Sequence, residues 1–86
     1  KKVDESVQLA AKGKWNEALN NWLDNAEHGN RSTQSKIMLN IALGYEMTGN
    51  IEEAIEWAKK SKAKYYREVT NHYIKELLKR QAMLNN

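Results

Sequence analysis

Glu68, His72 and Glu76 recur every fourth residue as E-x-x-x-H-x-x-x-E, a spacing that on a helix sets two carboxylates and an imidazole along one face. Both groups are zinc ligands, so this is the constellation to weigh first for a metal. Side chains of such character at i, i+4 more commonly make a solvated ion-pair surface, and that is the expectation here. His28 stands in a polar stretch with no second ligand at helical spacing. Ser6, Ser32, Ser35 and Ser61 lack the strand-to-helix elbow that exposes a serine nucleophile, and no glycine-rich phosphate loop is present. The chain has no cysteine, which excludes thiol chemistry and cysteine-ligated zinc. The residues therefore point away from an enzyme and imply no cofactor and no metal.

Charge is distributed unevenly. From Lys59 onward come Lys59, Lys60, Lys62, Lys64, Arg67, Lys75, Lys79 and Arg80 against Glu68 and Glu76, whereas the preceding part carries six basic and nine acidic residues. Lysines interleaved with Tyr65 and Tyr66 could meet phosphates and stack bases, so a nucleic-acid-binding helical domain is the alternative function. A solvated helix face and junction is the expected state, because the arginine-rich and glycine-rich signatures of nucleic-acid modules are absent.

The elements that would carry these residues follow from apolar periodicity. Val3 to Lys12 reads as a short helix with Val3, Val7 and Ala10 on one stripe, and Trp15 to about Ala26 as its partner with Ala18, Leu19, Trp22 and Leu23 inward. Glu27 to Thr33 is polar and reads as a loop, turning at Gly29 and Asn30. Gln34 to Thr48 is apolar nearly all round, as in a helix sandwiched between neighbours. Ile51 to about Lys62 follows, and then Tyr65 to Leu84, whose Tyr66, Val69, Tyr73 and Leu77 are spaced to close one end of the stack.

Two of these pairs are written alike. GKWNEALNNW from Gly13 and GNIEEAIEWA from Gly49 share Gly, Glu and Ala, and pair Trp15 with Ile51 and Leu19 with Ile55, at an offset of 36 residues. A recurrence of about 34 residues marks a stacked helix-turn-helix unit, which buries its apolar face on its neighbours. Each glycine suits the left-handed residue that ends one helix before the next begins. Ala18 and Ala54 suit close helix crossings, where only a small side chain lets axes approach to about 8–10 Å. Asn50 and Glu53 have the spacing of a capping box, and Glu52, Glu53 and Glu56 complement the helix dipole.

The pattern resembles the tetratricopeptide repeat family over roughly residues 3 to 64. Gly13, Trp15 and Ala18 match the start of that family's second helix, as do Gly49, Ile51 and Ala54, and Met38, Ile41, Ala42 and Tyr45 fall on its first-helix core positions. Lys2 and Glu5 stand where Met38 and Ile41 stand in the second copy, so the opening helix reads as a frayed or cut-off unit, and the closing proline is missing. The resemblance implies an all-α, tetratricopeptide-like α-solenoid: repeat one at about 3–27, repeat two at about 34–62 and a capping helix at about 65–84. It also implies a non-enzymatic interaction module that holds a peptide or protein segment, or a neighbouring domain of the same protein, in a groove. By position on the family's first helix, the groove would be floored by Lys36, Leu39, Asn40, Leu43, Glu46 and Met47. The carboxylate clamp of some members does not carry over, since Val3 and Val7 replace its first-repeat lysine and asparagine.

At 86 residues and 41% hydrophobic, the chain is one small domain without a disulfide to help it. No run approaches the ~18 apolar residues of a membrane span. A start at Lys1 without methionine reads as a fragment of a longer protein, and Asn30-Arg31-Ser32 is an N-glycosylation sequence that matters only in a secreted eukaryotic protein. The lysine- and asparagine-rich style resembles a bacterial chain. NHYIKELLKRQ is similar to the C-terminal helices of repeat-bearing, uncharacterised bacterial envelope proteins, which ranks an envelope or periplasmic location beside the cytoplasm.

Overall fold

Gly13 and Gly49 take φ of +80° and +89°, the left-handed conformation each turn requires. Around them the backbone bonds repeat pair for pair at the same 36-residue offset. Lys14 N–H donates to Leu9 O as Asn50 N–H does to Tyr45 O, Gly13 to Ala10 as Gly49 to Glu46, and Lys12 to Gln8 as Thr48 to Gly44. These are the crossed bonds that satisfy the last carbonyls of a helix before the chain reverses. The recurrence in the sequence is therefore a recurrence of hydrogen-bonded structure.

The computed structural model describes residues 2–85, with side chains from residue 5 onward. It contains five helices and, among the described residues, no strand: α1 (Lys2–Ala11), α2 (Trp15–Asp24), α3 (Arg31–Met47), α4 (Ile51–Lys64) and α5 (Glu68–Leu84). Each helix packs chiefly on its neighbours in sequence, giving a slab of 41 × 28 × 16 Å. None is long and apolar enough to cross a membrane.

Two apolar clusters hold the slab together. Ala18, Leu19, Trp22 and Ala26 of the α2 region meet Ile37 and Ile41 of α3, while Ala42 of α3, Ala54, Ile55 and Ala58 of α4 and Ile74 and Leu77 of α5 form the second. Tyr45 and Trp57 pack against both. Ala18 and Ala54 are fully buried, 36 residues apart, where the expected close crossings lie. At a further close approach, a Cβ on Gly44 would come within 3.0 Å of Leu19 Cδ1 and 3.2 Å of its Cβ.

Several local expectations are corrected. Asn50 precedes α4 but makes no side-chain cap, because its ψ of 71° does not turn the amide toward the first helical N–H groups. Asn30, extended at ψ 179°, caps α3 through Thr33 N–H at 2.8 Å, so that helix begins at Arg31 and the polar loop ends three residues sooner. In α1 the inward residues are Ser6, Leu9 and Ala10, and Val7 is exposed; the side chain of Val3 lies outside the described residues. Ser6 can occupy a buried position because its hydroxyl donates to the Asn21 side chain of α2. Tyr66 and Val69 do not close the stack. Residues 65–67 are not helical, α5 starts at Glu68, and its inner face is Thr70, Ile74 and Leu77, leaving Tyr66 57% and Val69 56% exposed. Met38, expected inward with Ile41 and Ala42, is only half-buried.

Candidate peptide-binding site

α3 and α5 share no broad interface, but their side chains meet at one depression. Their facing side chains, Leu39, Asn40 and Leu43 from α3 and Val69 and Tyr73 from α5, enclose an open depression of about 220 Å³. Leu39, Asn40 and Leu43 are all half-buried, which leaves one edge of each to solvent. The Asn40 amide makes no hydrogen bond to another described residue, so a donor and an acceptor stand between two leucines.

Tyr73, one wall of the depression, is tied to a charged pair. Tyr73 donates its phenolic hydrogen to Glu46 Oε1 at 2.6 Å, and Arg80 pairs with Glu46 Oε2. The Glu46 side chain is 10% exposed, and its carboxylate is satisfied from α5. Burial, then the hydrogen bond to Glu46 and the charge of that carboxylate, push the Tyr73 phenol well above its ordinary value, with Arg80 opposing. Tyr73 therefore remains a neutral donor to Glu46.

Of the six groove positions expected on α3, Leu39, Asn40 and Leu43 line the depression, and Glu46 is not among the lining residues but accepts a hydrogen bond from Tyr73, which is. Lys36 and Met47 are exposed on the same helix but are not among its lining residues. The α5 contribution of Val69 and Tyr73 is not among the expected groove positions. Its signal is their i, i+4 spacing on one helical face, obscured because hydropathy places both inward.

The basic residues after Lys59 are dispersed. Lys60 lies over the Trp57 ring at 4.2 Å, Lys62 donates to Asn71 Oδ1 at 3.0 Å, Lys79 pairs with Glu76 at 3.5 Å and Arg80 with Glu46. Arg31, Lys60 and Lys64 instead gather, with Met38 and Ala63, around a second cavity of about 470 Å³. Glu68, His72 and Glu76 stay strung along α5, and no three metal-ligating side chains converge among the described residues.

The family described as Domain of unknown function (DUF6340) matches residues 4–84, from within α1 to the end of α5. The chain belongs to the DUF6340 family. The two cavities lined by Leu39 and by Arg31 are built from residues inside the matched span of this DUF6340 domain. No curated protein and no solved structure matches the chain.

Proposed function

We propose that this DUF6340 domain is a non-enzymatic interaction module: a tetratricopeptide-like scaffold of two helix-turn-helix units closed by α5, holding a peptide or protein segment, or a neighbouring domain of the same protein, between α3 and α5. The observation that carries the reading is the unbonded Asn40 amide set between Leu39 and Leu43 in a depression walled by Val69 and Tyr73. An amide offers both a donor and an acceptor to the backbone of an incoming segment, while the apolar walls receive its side chain. The turn bonds repeated at a 36-residue offset support the repeat scaffold. A nucleic-acid surface is less favoured, because Lys79 and Arg80 are paired with carboxylates and Lys62 is bonded to Asn71.

A peptide array probed with the purified domain tests this. Segments with an apolar residue should bind, and Asn40→Ala should weaken them by about 1 kcal/mol, the net worth of a typical hydrogen bond. Binding that ignores both Asn40→Ala and Leu43→Ala, or no binding at all, overturns the reading.

A further inference from the structure

Arg31 of α3 anchors itself on the end of α4. Its Nε and Nη2 both donate to the Lys64 carbonyl, at 3.1 and 2.8 Å, one of the carbonyls that a helix C-terminus leaves unpaired. The guanidinium is thereby fixed at the mouth of the cavity that it lines with Lys60, Lys64, Met38 and Ala63. Lys60 is held as well, its ammonium resting over Trp57. No carboxylate lines this cavity, and neither lysine pairs with one among the described residues. Three cations from two helices thus converge on one space without an internal counter-charge.

Charge selects among anions. The Nε/Nη2 edge of Arg31 is committed to Lys64 O, which leaves the Nη1/Nη2 end of the guanidinium free. That end and two ammonium groups carry three positive charges, more than a monoanionic carboxylate balances and better matched by a dianionic phosphate monoester. These suit the three terminal oxygens of a phosphate monoester. Met38 and Ala63 supply an apolar wall for the organic part of the ester. A nucleic-acid strand needs cations in series, whereas Lys62, Lys79 and Arg80 are engaged elsewhere with Asn71, Glu76 and Glu46.

We propose that the cavity formed by Arg31, Lys60 and Lys64 between α3 and the end of α4 is a binding site for a phosphate monoester. It is independent of the depression between α3 and α5.

Nuclear magnetic resonance titration of the 15N-labelled domain with phenyl phosphate, against benzoate at equal ionic strength, tests the site. Phenyl phosphate should give saturable shifts at the amides of Arg31, Lys60, Ala63 and Lys64 and leave Leu39 and Leu43 unmoved. The double substitution Lys60→Gln, Lys64→Gln should weaken binding roughly tenfold or more, as expected for losing charge-assisted hydrogen bonds. Lys60 is exposed and Lys64 half-buried on α4, and the double substitution Lys75→Gln, Lys79→Gln on α5 serves as a charge-matched control that should bind normally. Equal response to benzoate, or no loss in the double variant, overturns the proposal. So does tighter binding of an oligonucleotide without a terminal phosphate. Co-sedimentation with phosphatidylcholine vesicles containing phosphatidic acid, set against plain phosphatidylcholine, assigns the ester to a lipid headgroup; phenyl phosphate binding without co-sedimentation assigns it to a soluble ester.

Discussion

Ser35 of α3 and Ser61 of α4 each turn a hydroxyl onto the other's backbone carbonyl: Ser61 Oγ lies 2.7 Å from Ser35 O, and Ser35 Oγ 2.9 Å from Ser61 O. Both residues are fully buried, and the two hydroxyls are themselves 2.9 Å apart. Ser35 Oγ also lies 3.1 Å from Tyr65 O, where α4 has ended. The pair lets two helices approach through small side chains while offering partners to carbonyls near the end of α4.

Removing either hydroxyl should cost about 1–2 kcal/mol, because the partner's polar groups stay buried with fewer bonds. The double variant Ser35→Ala, Ser61→Ala should cost less than the two single losses added together, since they remove members of one network. Urea unfolding of the four proteins checks this, and strict additivity would deny the coupling.

The small residues at the crossings act by space, and the turn glycines by backbone conformation. Ala18→Leu and Ala54→Leu should each destabilise by about 1–3 kcal/mol through overpacking. Nothing lies within 4 Å of a Cβ built on Gly13 or Gly49, so Gly→Ala there should cost about 1–2 kcal/mol from the left-handed conformation alone. Thermal unfolding of the four variants should show losses throughout, and a neutral pair would break the equivalence of the two turns.

Leu77 and Val69 distinguish the two faces of α5. Leu77 is fully buried against α4, and Leu77→Ala should cost about 2–5 kcal/mol. Val69→Ala, at an exposed position, should stay within about 0.5 kcal/mol in stability while lowering affinity for any segment held beside it. Comparable stability losses at both sites would restore the phase expected from hydropathy.

Tyr73 should report alkaline pH. Its phenol ionises later in the folded protein than in the unfolded chain, whose ordinary value is 10.0, so the native state binds more protons as pH rises above that value. The stability contributed is fully present below pH 10 and falls above it. Tyr73→Phe should flatten the fall in denaturation midpoint above pH 10 relative to the wild type, and parallel profiles would exclude Tyr73 as its source.

Much of the helix framework was legible because glycine and alanine at fixed spacing have few alternative uses. Gly13, Gly49, Ala18 and Ala54 stand where the periodicity put them. Positions filled by polar residues were not legible. Ser6 occupies a core site that a hydropathy pattern assigns to Val7, because its hydroxyl finds a partner on another helix in Asn21, while Thr70 takes the inward place of Val69 with its hydroxyl unbonded among the described residues. Asn30 and Asn50 look alike in sequence, yet only the first caps a helix, since ψ rather than residue type decides it. On the candidate site, Leu39, Asn40 and Leu43 could be named only through the resemblance to a repeat family's first helix, and α5 could not be assigned to their side without knowing where that helix begins.

The order of packing has a kinetic consequence. α1 rests on α2, α2 on α3, α3 on α4 and α4 on α5, with no broad interface joining the first helix to the last. Assembly thus requires no long loop to close before any contact is rewarded, and helical proteins dominated by such local contacts refold in microseconds to milliseconds. Opening is correspondingly graded. Amides of α1, whose broad contacts among the described residues are with α2, should exchange with solvent deuterium well before those of α3 and α4, so the chain would loosen from its ends inward.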